Sequence, residues 1–291
     1  MRPRSLAVIG LGAIGGSVAW QARQAGIASV IGFAPERSDS VQALKAAAVH
    51  DIAESPARAV RGADLVVLAA PPQAIIDLLG AIGRHLAPGA LVTDVASIKA
   101  QIVAAAAEAG LNERFAGSHP FTGTHLAGWS GARPDRFTGA VVYVCPTGPK
   151  GDRAAREIMN FWAGVMGAHA VLVDAQVHDA QLAWTSHLPQ AVASALARAL
   201  AREPSLRGAS FGSGMRDTTR VAASPAEMWV DILLMNRGPI KEALAGMAGQ
   251  LATLRALLER EDRSALHAFL EEAAQYRRRL PGDDRHADRG V

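Results

Sequence analysis

The stretch "SLAVIGLGAIGG", residues 5–16, constrains the fold of this chain more than any other. A short apolar run of strand-forming residues leads straight into Gly10, Gly12 and Gly15, which stand in G-x-G-x-x-G spacing, and the following residues continue as a helix closed by Gly26. In such a turn the first glycine allows the tight bend, the second lets the backbone approach a pyrophosphate, and the third lets helix and strand pack closely. Phosphate oxygens then meet the positive end of the helix dipole and its uncommitted N–H groups. The backbone of Gly10, Gly12, Ala13, Ile14 and Gly15 is therefore the expected dinucleotide cradle. Glycine turns of other α/β proteins share the spacing; the strand before and the helix after are the context that favours a nucleotide.

Further strands are expected at "ASVIGF", "ADLVVLAAPP" and "GALVTDVAS", with helices at "QAIIDLLGAIGRHL" and "IKAQIVAAAAEAG". Continuously apolar strands separated by helices predict a parallel sheet covered on both faces, a Rossmann-type doubly wound α/β domain. The Pro/Gly-rich "CPTGPKG" after the strand "AVVYVCP" marks a boundary, and beyond it nearly everything apart from "AHAVLV" has a helical pattern. The expected organisation is a dinucleotide-binding domain over 1–150, an all-helical C-terminal domain over 151–278 and a loose polar tail over 279–291.

Composition narrows the class of ligand. A formal net charge of +3 suits an anionic small molecule, and no broad basic stripe suggests nucleic acid. No apolar stretch is long enough to span a bilayer. The single cysteine, Cys145, excludes an internal disulfide, fits a reducing cytoplasm, and is expected as a buried strand residue rather than a nucleophile. There are nine histidines but no H-E-x-x-H or Cys/His set, and His178 and His187, nine residues apart, are expected on opposite helix faces, so no metal site is expected. No G-x-S-x-G elbow supports a serine hydrolase.

The acidic residue that usually grips the adenosine ribose, about twenty positions past the glycines, is missing, and Ala34 stands there. Arg37 and Ser38 follow, a guanidinium and a hydroxyl able to bind a 2′-phosphate, so NADP is favoured over NAD. Glu36 weighs against this, and Arg37 has an alternative as a plain surface charge.

Four polar islands interrupt the apolar pattern. "TDVASIK" places Asp94, Ser97 and Lys99 past a strand's C-terminal end, where doubly wound sheets bind ligands, and "GSHP" places Ser118 and His119 past the next strand. "TSHLPQ" sets Ser186 and His187 in an apolar helix distorted by Pro189, and "GMRDTTRVAASPAEMW" carries Arg216, Asp217, Arg220 and Trp229. Each has a structural alternative. Asp94 and Ser97 could cap a helix starting at Ile98, His119 could be a satisfied loop histidine, His187 a packed core residue, and the arginines partners of Asp217.

In chain order, the glycine turn, "TDVASIK", "GSHPFTGTHLAG", "SHLPQAVASAL" and "GSGMRDTTRVAASPAEMWVDI" resemble the signature segments of the prephenate/arogenate (cyclohexadienyl) dehydrogenase family of tyrosine biosynthesis. The resemblance implies oxidative decarboxylation of prephenate or arogenate with hydride transfer to NAD(P)+, in a cytoplasmic enzyme that dimerises through its helical half. His119 would act on the ring hydroxyl as the base and Ser97 would help position it. His187 would line the substrate pocket, and Arg220 would bind a substrate carboxylate with Asp217, Trp229 and Ser118 in the same substrate-binding set. These types suit the chemistry: a neutral imidazole takes a proton near neutral pH, and a guanidinium grips a carboxylate bidentately. The expectation is a dehydrogenase without a fused chorismate mutase domain before it or an ACT domain after it. His125 stands where the family often has a glutamate and Gln190 where many members have a second histidine, which leaves gating and tyrosine inhibition open. Two other readings share the nucleotide turn: a β-hydroxyacid-type dehydrogenase, which would need a lysine in the helical domain, and a non-catalytic dinucleotide sensor, which would need no base.

Overall fold

The structure, a computed structural model, describes residues 2–122, 126 and 128–280, so His125 and the polar tail beyond Leu280 lie outside the described residues. The chain divides into two compact units, Met1–Ile240 and Lys241–Val291.

The first unit opens with β1 (Ser5–Ile9), α1 (Ala13–Gln24), β2 (Ser29–Phe33), α2 (Arg37–Lys45), β3 (Asp51–Ile52), α3 (Pro56–Ala59), β4 (Leu65–Leu68), α4 (Pro72–Ile82), β5 (Leu91–Asp94) and α5 (Ala100–Glu108). The five strands form one parallel sheet in the order β3-β2-β1-β4-β5. Their apolar runs are continuous because each strand serves two cores. Leu6 and Val8 of β1 pack with Val18 and Phe161 on one face, whereas Ala7 and Ile9 pack with Ile75 and Leu79 on the other. Strand order reverses between β1 and β4, and ligand crevices of such sheets open at the carboxyl ends of strands at that reversal. Gly10 follows β1 there at φ +100°, its α-carbon so near the chain after β4 that a Cβ would lie 2.0 Å from the Ala69 carbonyl oxygen.

A second sheet follows: β6 (Ala116–Pro120), β7 (Val141–Pro146) and β8 (His169–Leu172), in that order, with β6 and β7 antiparallel and β7 and β8 parallel. One parallel bridge, Val92 to Phe115, joins the edge of the first sheet to the chain entering β6. Ser118 and His119 therefore lie within a strand rather than beyond its end, with His119 in register with Tyr143. Local pattern missed this because a polar "SH" before proline resembles a loop, and the pairing that makes it a strand comes from residues far along the chain. Cys145 is buried in β7, and burial pushes its thiol up to about 12.

α6 (Asp152–Gly164) covers the second sheet, its Phe161 and Trp162 wholly buried. α7 (Ala175–Leu182) runs into a π-helical turn, Ala183–His187, and on into α8 (Leu188–Arg202) with Pro189 in its first turn. α9 (Ser213–Thr219), a 3₁₀ turn (Arg220–Ala223) and α10 (Ala226–Met235) follow. α11 (Arg237–Glu259) and α12 (Arg263–Arg279) are the last helices described; the second unit contains α12 and most of α11.

The glycine turn can be tested directly. A Cβ on Gly15 would sit 1.9 Å from the Gly10 carbonyl oxygen and 2.6 Å from the Ala69 Cβ. Gly15→Ala should lose about 1–3 kcal/mol or more in denaturant unfolding, the usual cost of overpacking; wild-type stability would show that the strand–helix contact is looser than this.

Candidate active site

A cavity of about 420 Å³ opens at the first turn of α1, with Ala13 and Ile14 at one side. Ser97 reaches it from the segment after β5, His119 from β6, Ser186 and His187 from the π turn, and Trp229 from α10. Of the expected residues it thus brings together Ser97, His119, His187, Trp229, Ala13 and Ile14. Gly10, Gly12 and Gly15 form the turn behind it. Arg37 and Ser38 are exposed at the start of α2, and Asp217 and Arg220 are exposed on α9 and the 3₁₀ turn after it; none of these four lines the cavity.

Ser118 has a different place from the one expected of a substrate ligand. It is fully buried, its hydroxyl 2.7 Å from Thr93 Oγ1 and accepting from Trp162 Nε1–H at 2.9 Å, so its hydrogen-bonding capacity is used inside the fold. Lys99 is likewise fully buried: its ammonium bonds Asp94 Oδ2 and donates to the Ser118 carbonyl at 2.8 Å. Nor do Asp94 and Ser97 cap a helix at Ile98. α5 starts at Ala100, and its first N–H groups are taken by Asp179, whose Oδ1 accepts from Lys99 N–H and Oδ2 from Ala100 N–H, both at 2.8 Å. Asp94 Oδ2 instead accepts from Ala96 N–H.

Around His119 the polar groups form a chain. His119 Nδ1 lies 2.9 Å from His178 Nε2, and His178 Nδ1 lies 2.8 Å from Asp179 Oδ1. A second arm runs through Asn236, whose Nδ2 donates to the Asp179 carbonyl at 2.8 Å and faces His187 Nδ1 at 3.0 Å. A carbonyl only accepts, so that contact sets the Asn236 amide, and its second N–H points at His187 Nδ1. His187 then keeps its proton on Nε2. Among the described residues, His187 Nε2 and Trp229 Nε1 are buried without a hydrogen-bond partner, and both residues line the cavity. Two N–H donors thus wait for an acceptor there.

His178 and His187 were expected on opposite faces, yet both meet this one cluster. The π turn between them takes an extra residue into the helix and rotates everything after it. His178, Asp179 and Asn236 were missed as site residues; an adjacent His-Asp pair inside an apolar helix was the available signal. Gln190 is buried in α8, with its amide donating to Ser194 Oγ at 3.3 Å. Among the described residues no three His, Cys, Asp or Glu side chains are grouped to hold a metal ion, and no helix is long and apolar enough to cross a membrane.

Burial holds His119 well below the ordinary 6.5, assisted by the positive charge that His178, Lys99 and His187 carry or can acquire. Burial also brings His187 down to about 4; Asp179 opposes the shift and His178 adds to it. Both rings are therefore neutral at neutral pH.

A Rossmann-type sheet with a buried imidazole beside the first turn of its nucleotide helix defines a dinucleotide-dependent oxidoreductase architecture. Comparison with known proteins is specific. Residues 18–172 match the family model "Prephenate dehydrogenase, nucleotide-binding domain" and residues 174–272 match "Prephenate dehydrogenase, dimerization domain". The prephenate dehydrogenase of Bacillus subtilis is 30% identical over 95% of this chain and 76% of its own length. The cyclohexadienyl dehydrogenase of Zymomonas mobilis is 30% identical over 96% of this chain and 97% of its own. The crystal structure of the A. aeolicus prephenate dehydrogenase with hydroxyphenyl propionate and NAD+ superposes with a TM-score of 0.87 at 27% identity, covering 94% of this chain and 96% of that one. The chain belongs to the prephenate dehydrogenase family.

Acid should expose the buried histidines. Between pH 6.5 and about 4 the unfolded chain binds protons that His187 refuses in the fold, so stability rises with pH across that window and falls on acidification. The loss is up to about 1.4 kcal/mol per pH unit for such a histidine. Thermal melts from pH 7 to 4.5 should show a falling Tm whose slope is smaller in His187→Gln; equal slopes would place the titration elsewhere.

Proposed function

We propose that this chain catalyses the oxidative decarboxylation of prephenate or arogenate with NAD(P)+, giving 4-hydroxyphenylpyruvate or tyrosine. The observation that carries the reading is the cavity in which a neutral, buried His119 lies beside the first turn of the nucleotide helix. The cradle fits a dinucleotide. α1 begins after Gly12 with no side-chain cap, leaving its first N–H groups for a pyrophosphate, and among the described residues a Cβ on Gly12 would meet only Gly128 Cα at 3.8 Å, room for an approaching group. A nicotinamide dinucleotide held on this turn would supply the hydride acceptor for the ring carbon bearing the hydroxyl.

The chain's own residues do the rest. His119 has Nδ1 engaged by His178, which leaves Nε2 to take the hydroxyl proton as the carbonyl forms. Ser97, half-buried on the cavity wall, orients the hydroxyl. The unpartnered N–H groups of His187 and Trp229 receive one substrate carboxylate, and the exposed Arg220, with Asp217 beside it in the chain, receives the other as substrate binds. Loss of the ring carboxylate as CO2 and aromatisation drive the reaction, so the protein's task is alignment and stabilisation of the developing carbonyl. Among the described residues no lysine lines the cavity, which weighs against a β-hydroxyacid dehydrogenase.

NADP is the cofactor we favour. Arg37 and Ser38 stand exposed at the start of α2, a guanidinium and a hydroxyl able to receive a 2′-phosphate, Ala34 stands in place of a carboxylate that would repel it, and the nearby Asp39 accepts from the Trp129 backbone N–H at 3.0 Å. A working division of labour places the nucleotide on residues 1–150 and the substrate and a homodimer interface on 151–278, in a cytoplasmic enzyme; the name of the second matching family model supports the dimer.

Following reduced-nicotinamide absorbance with prephenate and arogenate, each against NAD and NADP, tests substrate and cofactor together; a strong NAD preference would defeat the Arg37 argument. His119→Asn should lower kcat by about 10²–10⁴-fold while cofactor still binds, and near-normal turnover would remove His119 as base. Arg220→Gln should raise the substrate KM by about 10–100-fold, whereas an unchanged KM would leave the carboxylates to the cavity alone.

A further inference from the structure

The hydrogen-bond chain behind His119 does more than hold a ring in place. Backbone N–H groups can only donate, so the contacts from Lys99 N–H to Asp179 Oδ1 and from Ala100 N–H to Oδ2 hold both oxygens as acceptors, the carboxylate form. Against such an acceptor, the His178 nitrogen 2.8 Å from Oδ1 must carry the proton. In the neutral imidazole the other nitrogen, Nε2, is then a bare lone pair. It faces His119 Nδ1 at 2.9 Å, and a lone pair there requires His119 to carry its proton on Nδ1. One end of the chain thus dictates the other: His119 is left with an unprotonated Nε2.

From this we propose that His178 and Asp179 are positioning residues for the reaction: the Asp179 carboxylate, fixed by the two N–H groups at the start of α5, sets His178, and His178 sets the tautomer of His119. The inference rests on His119 being the base, as argued above. Only the Nδ1–H tautomer can take a proton at Nε2; the reverse tautomer would offer the substrate an N–H. When the ring hydroxyl gives up its proton, the new imidazolium keeps its Nδ1–H on His178 Nε2, so the charge develops against an acceptor already aimed at it, with no rearrangement.

The surroundings support a relay rather than an incidental contact. His178 is fully buried and Asp179 nearly so. Tyr143 packs edge-on against His178 at 5.5 Å, and Phe121 edge-on against His119 at 5.9 Å, which keeps water from competing for the ring nitrogens. Asp179 also accepts from the first N–H groups of α5, so the segment carrying Ser97 and the element carrying His178 are tied at one carboxylate. Asp179 acts from the third position back: hydrogen bonds link it to His119 through His178 and to His187 through Asn236.

Asp179→Asn removes the constraint. One end of the amide carries N–H groups, so it cannot accept from Lys99 N–H, Ala100 N–H and His178 together; the His178 proton is no longer fixed on Nδ1, and His119 gains access to the Nε2–H form. The expected result is a fall in kcat of about 10²–10⁴-fold, the scale reached when a mis-set tautomer disables a serine-protease triad, with the KM values for substrate and dinucleotide within about threefold of wild type. Because this change also weakens the start of α5, a second pair separates the roles. His178→Gln keeps a carbonyl acceptor near the Nε2 position and should retain at least about tenfold more kcat than His178→Leu, which packs but accepts nothing. A filler of space would show the opposite order.

The deciding measurement is the ¹⁵N spectrum of ring-labelled histidine in the full-length enzyme, with His119 assigned by its loss in His119→Asn. We expect the Nδ1–H form in wild type and a mixture that includes the Nε2–H form in Asp179→Asn. An Nε2–H His119 in the wild-type enzyme, a doubly protonated His178 at neutral pH, or a tautomer unmoved by Asp179→Asn would each overturn the relay. The two readings fail differently: normal turnover of His119→Asn removes the base but leaves the tautomer result standing, whereas a wrong tautomer with an inactive His119→Asn removes the relay and leaves the base.

Discussion

The carboxylate of Asp179 is the point at which the separate parts of the site are joined. It accepts from the backbone at the start of α5, from His178 on its own helix and, through its neighbouring carbonyl, from Asn236 after α10. A buried carboxylate is costly unless both oxygens are hydrogen-bonded, and here three N–H groups from two chain segments bond them. The same satisfaction that makes burial tolerable fixes the relative placement of Ser97, His119 and His187. Structure and site geometry therefore share one set of hydrogen bonds.

Beneath that carboxylate lies a second polar layer. Lys99 pairs with Asp94 and reaches the Ser118 carbonyl, Ser118 joins Thr93 and Trp162, and Thr93 Oγ1 also donates to the Ala116 carbonyl at 2.7 Å. Thr93 and Asp94 end β5, Lys99 precedes α5, Ala116 and Ser118 lie in β6 and Trp162 in α6, so together they lock the edge of the parallel sheet to the strand carrying His119. A fully connected buried network of this kind favours one arrangement over its neighbours, because each displaced member would leave a polar atom unpaired in a dry interior. Ser118 and Lys99, which invite a catalytic reading by type, are spent on this task.

The glycine turn meets the histidine site because of sheet topology. Reversal of strand order between β1 and β4 leaves a crevice at their carboxyl ends, and Gly10 and Ala69 close its floor. α1 begins above that floor, so its first turn forms one wall of the cavity that His119 enters from the other sheet. Nucleotide binding and proton removal are thus brought side by side by two sheets joined at one bridge, Val92 to Phe115.

What the sequence determined by itself is local or periodic: the strand–glycine–helix unit, the parallel sheet announced by unbroken apolar runs at four of its five strands, the helical second half, and the short polar segments whose order resembles one enzyme family. What only the tertiary structure decided depends on pairing across distance. That "GSHP" is a strand follows from β7, about twenty-five residues further on; that Ser118 is structural follows from Thr93 and Trp162; that His178 and His187 share a cluster follows from one π turn that breaks the 3.6-residue count. Asp179 gave only the signal of an adjacent His-Asp pair and Asn236 gave none, because a buried polar group is defined by its partners, and these come from the start of α5, from α7 and from the π turn. Periodicity reports which face of an element is apolar, but the partner of a buried polar atom is known only once the chain has closed around it.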